Sequence, residues 1–173
     1  MDNVKKVLIS EEQIQTKIKE LGQRITDDYR GKDLLCIGIL KGSILFAADL
    51  IREIDLPLEI DFMAVSSYGD TTDSSGIVKI LKDLDHSVQG KDVLIIEDII
   101  DSGLTLKYLT GNLSSRQAKS IRICTLLNKK ERRKVDIVPE YIGYDIPDEF
   151  VVGYGLDFAE KFRNLKYIGI YSE

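Results

Sequence analysis

Positive charge is in short supply in this 173-residue chain: 24 Lys and Arg stand against 29 Asp and Glu, a formal net charge of −5. Sequence-independent nucleic-acid binding depends on clustered positive charge, so that class is disfavoured. An anionic small substrate stays open if a cation or local backbone amides offset the repulsion. Cysteine is scarcer still. Cys36 and Cys124 each lie inside an apolar run, Leu34 to Leu40 and Ile121 to Leu127, far apart and without partner spacing. That argues against a disulfide or a cysteine metal site and predicts buried free thiols. The single histidine, His86, falls in the polar stretch Asp83 to Gly90 and is given no catalytic role. No apolar segment is long enough to span a bilayer. Met1 to Ile9 has neither a long apolar stretch nor a cleavage pattern. Together these predict a cytoplasmic protein with no membrane contact.

What is present is enough to build a core. The chain is 43% hydrophobic and 31% charged, which excludes disorder. Its length fits one domain over residues 1–173, with no repeat, low-complexity tract or dividing linker. Ser10 opens a helix, with Gln13 completing a capping box; Ile14, Ile18, Leu21 and Ile25 follow at helical spacing, and Gly31 ends the run. Asp33 to Leu40 predicts a buried strand. Ser43 to Ile54 predicts a helix with Leu45, Ala48 and Ile51 inward. Leu58 to Ser66, with Ile60, Phe62 and Ala64 alternating, predicts a strand. Tyr68 to Ser75 is rich in Gly, Asp, Thr and Ser and predicts a mobile loop, with a short strand at Ile77 to Leu81 after it. Val93 to Ile96 is a strongly apolar strand, Leu104 to Leu113 a helix and Ala118 to Leu127 a strand. Ile142 to Tyr144, Val151 to Tyr154 and Tyr167 to Tyr171 are shorter strands. This alternation points to an α/β fold, a mostly parallel sheet covered by helices.

The chemistry concentrates in Val93 to Thr105, which reads VLIIEDIIDSGLT. Ligands of open α/β sheets lie beyond the carboxyl ends of the strands, and a helix N-terminus there offers N–H groups and a positive dipole end to a phosphate. Gly103 lets the backbone come close, while Ser102 and Thr105 add hydroxyls. Glu97 and Asp98 can accept hydrogen bonds from a diol. Asp101 is placed to take or share a proton of a bound base. Asp101 and Ser102 by themselves read equally well as a helix cap. The acid pair on the strand end is what a cap alone does not need.

This turn resembles the phosphoribosyl-pyrophosphate motif of type I phosphoribosyltransferases, and its Ile-Ile-Asp-Ser-Gly-Leu-Thr core is most similar to the hypoxanthine-guanine members. The resemblance covers roughly residues 5 to 171. It implies the fold of that family, with a small hood built from the terminal segments. It also implies that Glu97 and Asp98 face the ribose hydroxyls, that Asp101 lies near purine N7, and that Asp101 to Thr105, Leu104 included, cradle the 5′-phosphate. Many relatives carry Lys at the place of Leu104, so phosphate binding here rests more on backbone amides and hydroxyls.

Other segments align with the same family. Lys41 and Gly42, in Leu-Lys-Gly, read alone as an ordinary strand-to-helix turn; the resemblance makes them the pyrophosphate loop, in which relatives place a non-proline cis peptide before the Lys. Ser67 and Tyr68 would open a lid that excludes water from the reacting sugar. Lys129, rather than Lys130, would donate to the purine 6-oxo group. Phe150 would stack on the purine, and the Val151 backbone would read its edge. Asp157 would assist magnesium, alongside Glu97 and Asp98. Arg163 would meet the pyrophosphate, a task for which guanidinium geometry is suited. The basic run Lys129 to Lys134 reads as a solvated face. The implied reaction moves 5-phosphoribosyl from phosphoribosyl pyrophosphate to N9 of hypoxanthine or guanine, giving IMP or GMP and pyrophosphate, with Mg2+ as cofactor and a homodimer or homotetramer as the assembly. A rival reading, a nucleic-acid-binding regulator on the same fold, is opposed by the acidic charge and by the lack of an added DNA-binding segment.

Overall fold

The computed structural model describes residues 3–67 and 78–172. A six-stranded sheet forms its centre, built from β2 (Leu34–Leu40), β3 (Glu59–Ser67), β4 (Val78–Lys82), β5 (Asp92–Ile100), β6 (Ser120–Asn128) and β7 (Tyr141–Asp145) in the order β4-β3-β2-β5-β6-β7. All neighbours are parallel except β3 and β4. Three helices flank it: α1 (Glu11–Asp28), α2 (Ile44–Arg52) and α3 (Leu104–Ser115). A second sheet joins both ends of the described chain, β1 (Val4–Ile9) and β9 (Ile168–Tyr171), with β8 (Val151–Val152), all antiparallel in the order β1-β9-β8. This is the hood. Among the described residues, no helix is long and apolar enough to cross a membrane.

The central strands are apolar on both faces because both faces are covered. Cys36, Leu94 and Ile96 pack in one core with Ile14, Ile18 and Leu21 of α1 and Phe46 and Leu50 of α2. Leu35, Ile37, Val93 and Ile95 point the other way, into a core with Leu106, Leu109 and Leu113 of α3. Both cysteines are free and buried. The capping box at the start of α1 is present in both directions: Ser10 Oγ accepts from Gln13 N at 3.2 Å, and Gln13 Oε1 accepts from Ser10 N at 2.9 Å.

The structure departs from the sequence reading in three places. The buried face of α2 is Phe46, Ala47 and Leu50, while Leu45 and Ala48 are exposed and Ile51 is only half-buried. The run Ile44–Ile51 is apolar nearly all round, so its periodicity could not choose a face. β1 was not anticipated; Lys5 and Lys6 break its apolar pattern, and its partner lies at the far end of the chain. β5 does not stop at Ile96 but runs on through the acids to Ile100. The loop expected at Tyr68 to Ser75 lies outside the described residues.

That last difference positions the site. β5 pairs with β2 only as far as Gly38–Ile96, but with β6 as far as Ile100–Asn128. Glu97 and Asp98 are therefore held rigidly on one side and released on the other, where the chain leaving β2 turns into α2.

Candidate active site

A cleft of about 320 Å³ opens at the carboxyl edge of β2, β3 and β5. Glu97 and Asp98 form its floor, Gly42 one wall, and the turn Asp101 to Gly103 with Thr105 the other; Asp157 and Arg163 close it from the hood. Glu97 is buried and Asp98 half-buried. Burial pushes the Glu97 carboxyl well above its ordinary range, and the neighbouring Asp98 charge pushes it further. Burial also raises Asp98, partly offset by a hydrogen bond with Glu97, by the Ile99 N–H donating to its Oδ1 at 2.8 Å, and by Arg163. The two carboxyls influence each other, so each is harder to ionise while the other carries charge.

The cleft is narrow because glycine faces the acids. A Cβ on Gly42 would stand 1.8 Å from Asp98 Oδ2, and one on Gly155 would stand 2.0 Å from the Gly42 carbonyl oxygen. The Leu40–Lys41 peptide between β2 and this contact is cis.

Opposite, α3 begins without a side-chain cap. Its N-cap is Gly103, in the left-handed region at φ 82°, and Ser102 Oγ makes only a 3.4 Å contact from Leu104 N. Asp101 is therefore not the cap, Ser102 takes the Leu104 N–H by a long hydrogen bond, and the other first-turn N–H groups are open to an anion. Leu104 opens the helix without lining the cleft.

The segment after β6 folds over this turn. Arg132 Nε lies 3.0 Å from Asp101 Oδ1, placed as an ion pair rather than an aligned hydrogen bond. Arg133 Nε donates to the Asp101 carbonyl at 3.3 Å, and Lys134 N donates to the Ser102 carbonyl at 2.9 Å. The basic run is thus only in part the solvated face that its composition suggests. Of its two leading lysines, Lys130 is exposed and pairs with Asp145 at 2.7 Å. Lys129 is 7% exposed, with Nζ 3.5 Å from Asp148 Oδ1. Asp148 also takes Arg132 at 3.3 Å. Arg132 and Asp148 are site neighbours that no local pattern announced.

The hood supplies the remaining residues. Arg163 Nη1 donates to the Gly155 carbonyl at 2.7 Å, and Nη2 meets Asp157 at 2.9 Å and Glu160 at 3.2 Å; its Nε is buried with no hydrogen-bond partner. Phe150 is 52% exposed and packs edge-on against Phe158 and Tyr171, each at 5.9 Å. Val151 is buried at the start of β8. Lys41, Lys129, Phe150 and Val151 do not line the cleft itself. Ser67 ends β3, and Tyr68 lies outside the described residues.

An acid pair and a helix N-terminus face one cleft beyond the carboxyl edge of a mostly parallel sheet, the place where ligands of open α/β folds bind. The family model of the phosphoribosyl transferase domain matches residues 9–159. The chain is 61% identical to the hypoxanthine-guanine phosphoribosyltransferase of Bacillus subtilis, over 97% of this chain and 93% of that protein. It is 55% identical to the one of Mycobacterium avium, over 96% and 85%. The crystal structure of a hypoxanthine phosphoribosyltransferase from Staphylococcus aureus superposes with a TM-score of 0.96 at 57% identity, over 99% of this chain and 93% of that one. The chain belongs to the hypoxanthine-guanine phosphoribosyltransferase family.

The acid pair gives a signed stability prediction. At pH below the ordinary carboxylate range, Glu97 is neutral folded and unfolded, and Glu97→Gln should match wild type. As pH rises, the unfolded chain sheds the proton that the folded pair retains, which favours unfolding of wild type only. The advantage of Glu97→Gln should grow with pH and level off above the raised pKa. The melting temperature of Glu97→Gln should therefore exceed that of wild type by more at pH 8 than at pH 4. Melting curves of both proteins between pH 4 and 8 check this, and a constant difference would contradict it.

Proposed function

We propose that the protein transfers the 5-phosphoribosyl group of phosphoribosyl pyrophosphate to N9 of hypoxanthine or guanine, releasing pyrophosphate and IMP or GMP, as an enzyme of purine salvage. The observation that carries this is the single cleft in which Glu97 and Asp98 face the uncapped start of α3. In this reading the two carboxylates accept from the ribose hydroxyls. The N–H groups at the start of α3, with Ser102, Gly103 and Thr105, hold the 5′-phosphate. Leu104 contributes backbone only. Lys41, Gly42 and Arg163 receive the pyrophosphate, for which Arg163 has an unpartnered Nε ready. Phe150 stacks on the base, the Val151 backbone reads its edge, Lys129 donates to its 6-oxo group, and Ser67 and Tyr68 begin the lid. The whole of 1–173 acts as one domain, in the cytoplasm, as a homodimer or homotetramer.

Asp101 lies at the base end of the phosphate turn. It takes, or stabilises, the purine proton at N7 while N9 attacks the sugar. Positive charge accumulates on the ribose ring in such displacements, and the acid pair lies beneath that ring.

The donor set also suits magnesium. Among the described residues no group of three or more His, Cys, Asp or Glu converges. Magnesium commonly binds through one or two carboxylates plus substrate phosphates rather than a protein cage. Glu97 and Asp98 are such a pair, and Asp157 stands across the cleft. When bound, the ion offsets the charge of the leaving pyrophosphate and orients it.

The reading is tested with a panel of free bases, each supplied with magnesium and phosphoribosyl pyrophosphate. Hypoxanthine or guanine should be converted far faster than adenine or uracil. A preference for adenine would sink it, because a 6-amino donor is repelled by a cationic lysine. Asp101→Asn separates chemistry from architecture. Because Gly103 is the N-cap and the Asp101 ion pair is half-exposed, the melting temperature should barely change. Turnover should fall by roughly 10²–10⁴-fold, the range for a positioned proton transfer. Near-normal kcat at unchanged melting temperature would remove Asp101 from the chemistry.

A further inference from the structure

Glu160 connects the two cations just assigned to pyrophosphate. Its Oε2 lies 2.8 Å from Lys41 Nζ, and its Oε1 lies 3.2 Å from Arg163 Nη2. Lys41 sits on the loop after β2 and Arg163 on the hood, so one carboxylate bridges two elements that both border the cleft. We propose that Glu160 is an internal competitor for pyrophosphate: its carboxylate and the pyrophosphate group claim the same two cations, so donor binding displaces Glu160 and its return helps expel the product. This rests on the assignment of Lys41 and Arg163 to pyrophosphate.

The local chemistry suits an exchangeable contact. The side chains of Lys41 and Glu160 are 67% and 65% exposed, so the pair is well hydrated and opens at small cost. The turn that carries Glu160 places Ala159, Glu160 and Phe162 at φ 49°, 63° and 74°, all in the left-handed region. Such backbone is kept only where contacts over-determine it. One of those contacts is independent of the carboxylate: Glu160 N donates to Asp157 Oδ2 at 2.9 Å. The turn is thus anchored by Asp157 while the Glu160 side chain is free to swing into solvent.

A merely structural Glu160 predicts the opposite sign. If its carboxylate served only to shape the pyrophosphate site, removing it would weaken pyrophosphate binding. If it competes, removing it strengthens binding. The test is calorimetric titration of the full-length protein with inorganic pyrophosphate and magnesium, alongside steady-state kinetics in the donor. Glu160→Gln should bind pyrophosphate about threefold to tenfold tighter, the scale of one or two exposed ion pairs. Its KM for phosphoribosyl pyrophosphate should fall, and kcat should not rise, because product leaves more slowly. Glu160→Gly, which suits the left-handed backbone, should show the same gain and serves where the Gln variant folds poorly. In a Lys41→Gln background the gain should shrink, since one of the contested cations is gone. Unchanged or weaker pyrophosphate binding in both Glu160 variants would overturn the proposal while leaving the site assignment intact. A wild-type protein that binds no pyrophosphate would overturn both.

Discussion

Two carboxylates placed side by side on the buried end of a strand are electrostatically unfavourable, and the rest of the site is arranged around that fact. β5 carries Glu97 and Asp98 past the last residue that β2 can pair, so one flank of the acids is a hydrogen-bonded strand and the other is the cleft. Burial raises both carboxyls, and the Asp98 charge pushes Glu97 further, so the pair ionises less readily than isolated carboxylates would. In the proposed function a diol and a divalent cation would relieve both terms at once.

The surroundings answer the same constraint from three directions. Gly42 brings backbone where any side chain would collide with Asp98. The uncapped start of α3 directs positive dipole into the cleft from the far side. Arg163, held by the Gly155 carbonyl and two carboxylates, lowers the cost of ionising Asp98 from above. Arg132 and Arg133 tie the Asp101 turn to the chain that follows β6. Of the cations in this region, Arg163 alone among the described residues lines the cleft, against the acids Glu97, Asp98, Asp101 and Asp157.

How much of this was legible depended on how local the signal was. The capping box of α1 and the apolar runs of β2 and β5 are decided by neighbours a few residues apart, and each was readable. The two acids after an apolar run and before Ser-Gly pointed to the cleft that they now line, because two carboxylates there have no evident structural task. The end of β5 was not readable, since Ile99 and Ile100 resume an apolar pattern after charges that ordinarily end a strand. The face of α2 was not readable either, because nearly every residue of it is apolar and only packing chooses among them. The pairing of β1 with β9 joins opposite ends of the chain, and no periodicity carries that information. Arg132, Asp148 and Glu160 were invisible for the same reason: each matters through a partner on another element.

The raised Glu97–Asp98 carboxyl pair is the feature most open to direct measurement. Titration calorimetry of magnesium phosphoribosyl pyrophosphate binding at pH 7, repeated in buffers of different ionisation enthalpy, counts protons exchanged on binding. The account predicts net release of up to one proton per site as the Glu97–Asp98 pair becomes fully ionised against ligand and metal, and loss of that release in Glu97→Gln. Binding with no proton released, or with proton uptake, would contradict it.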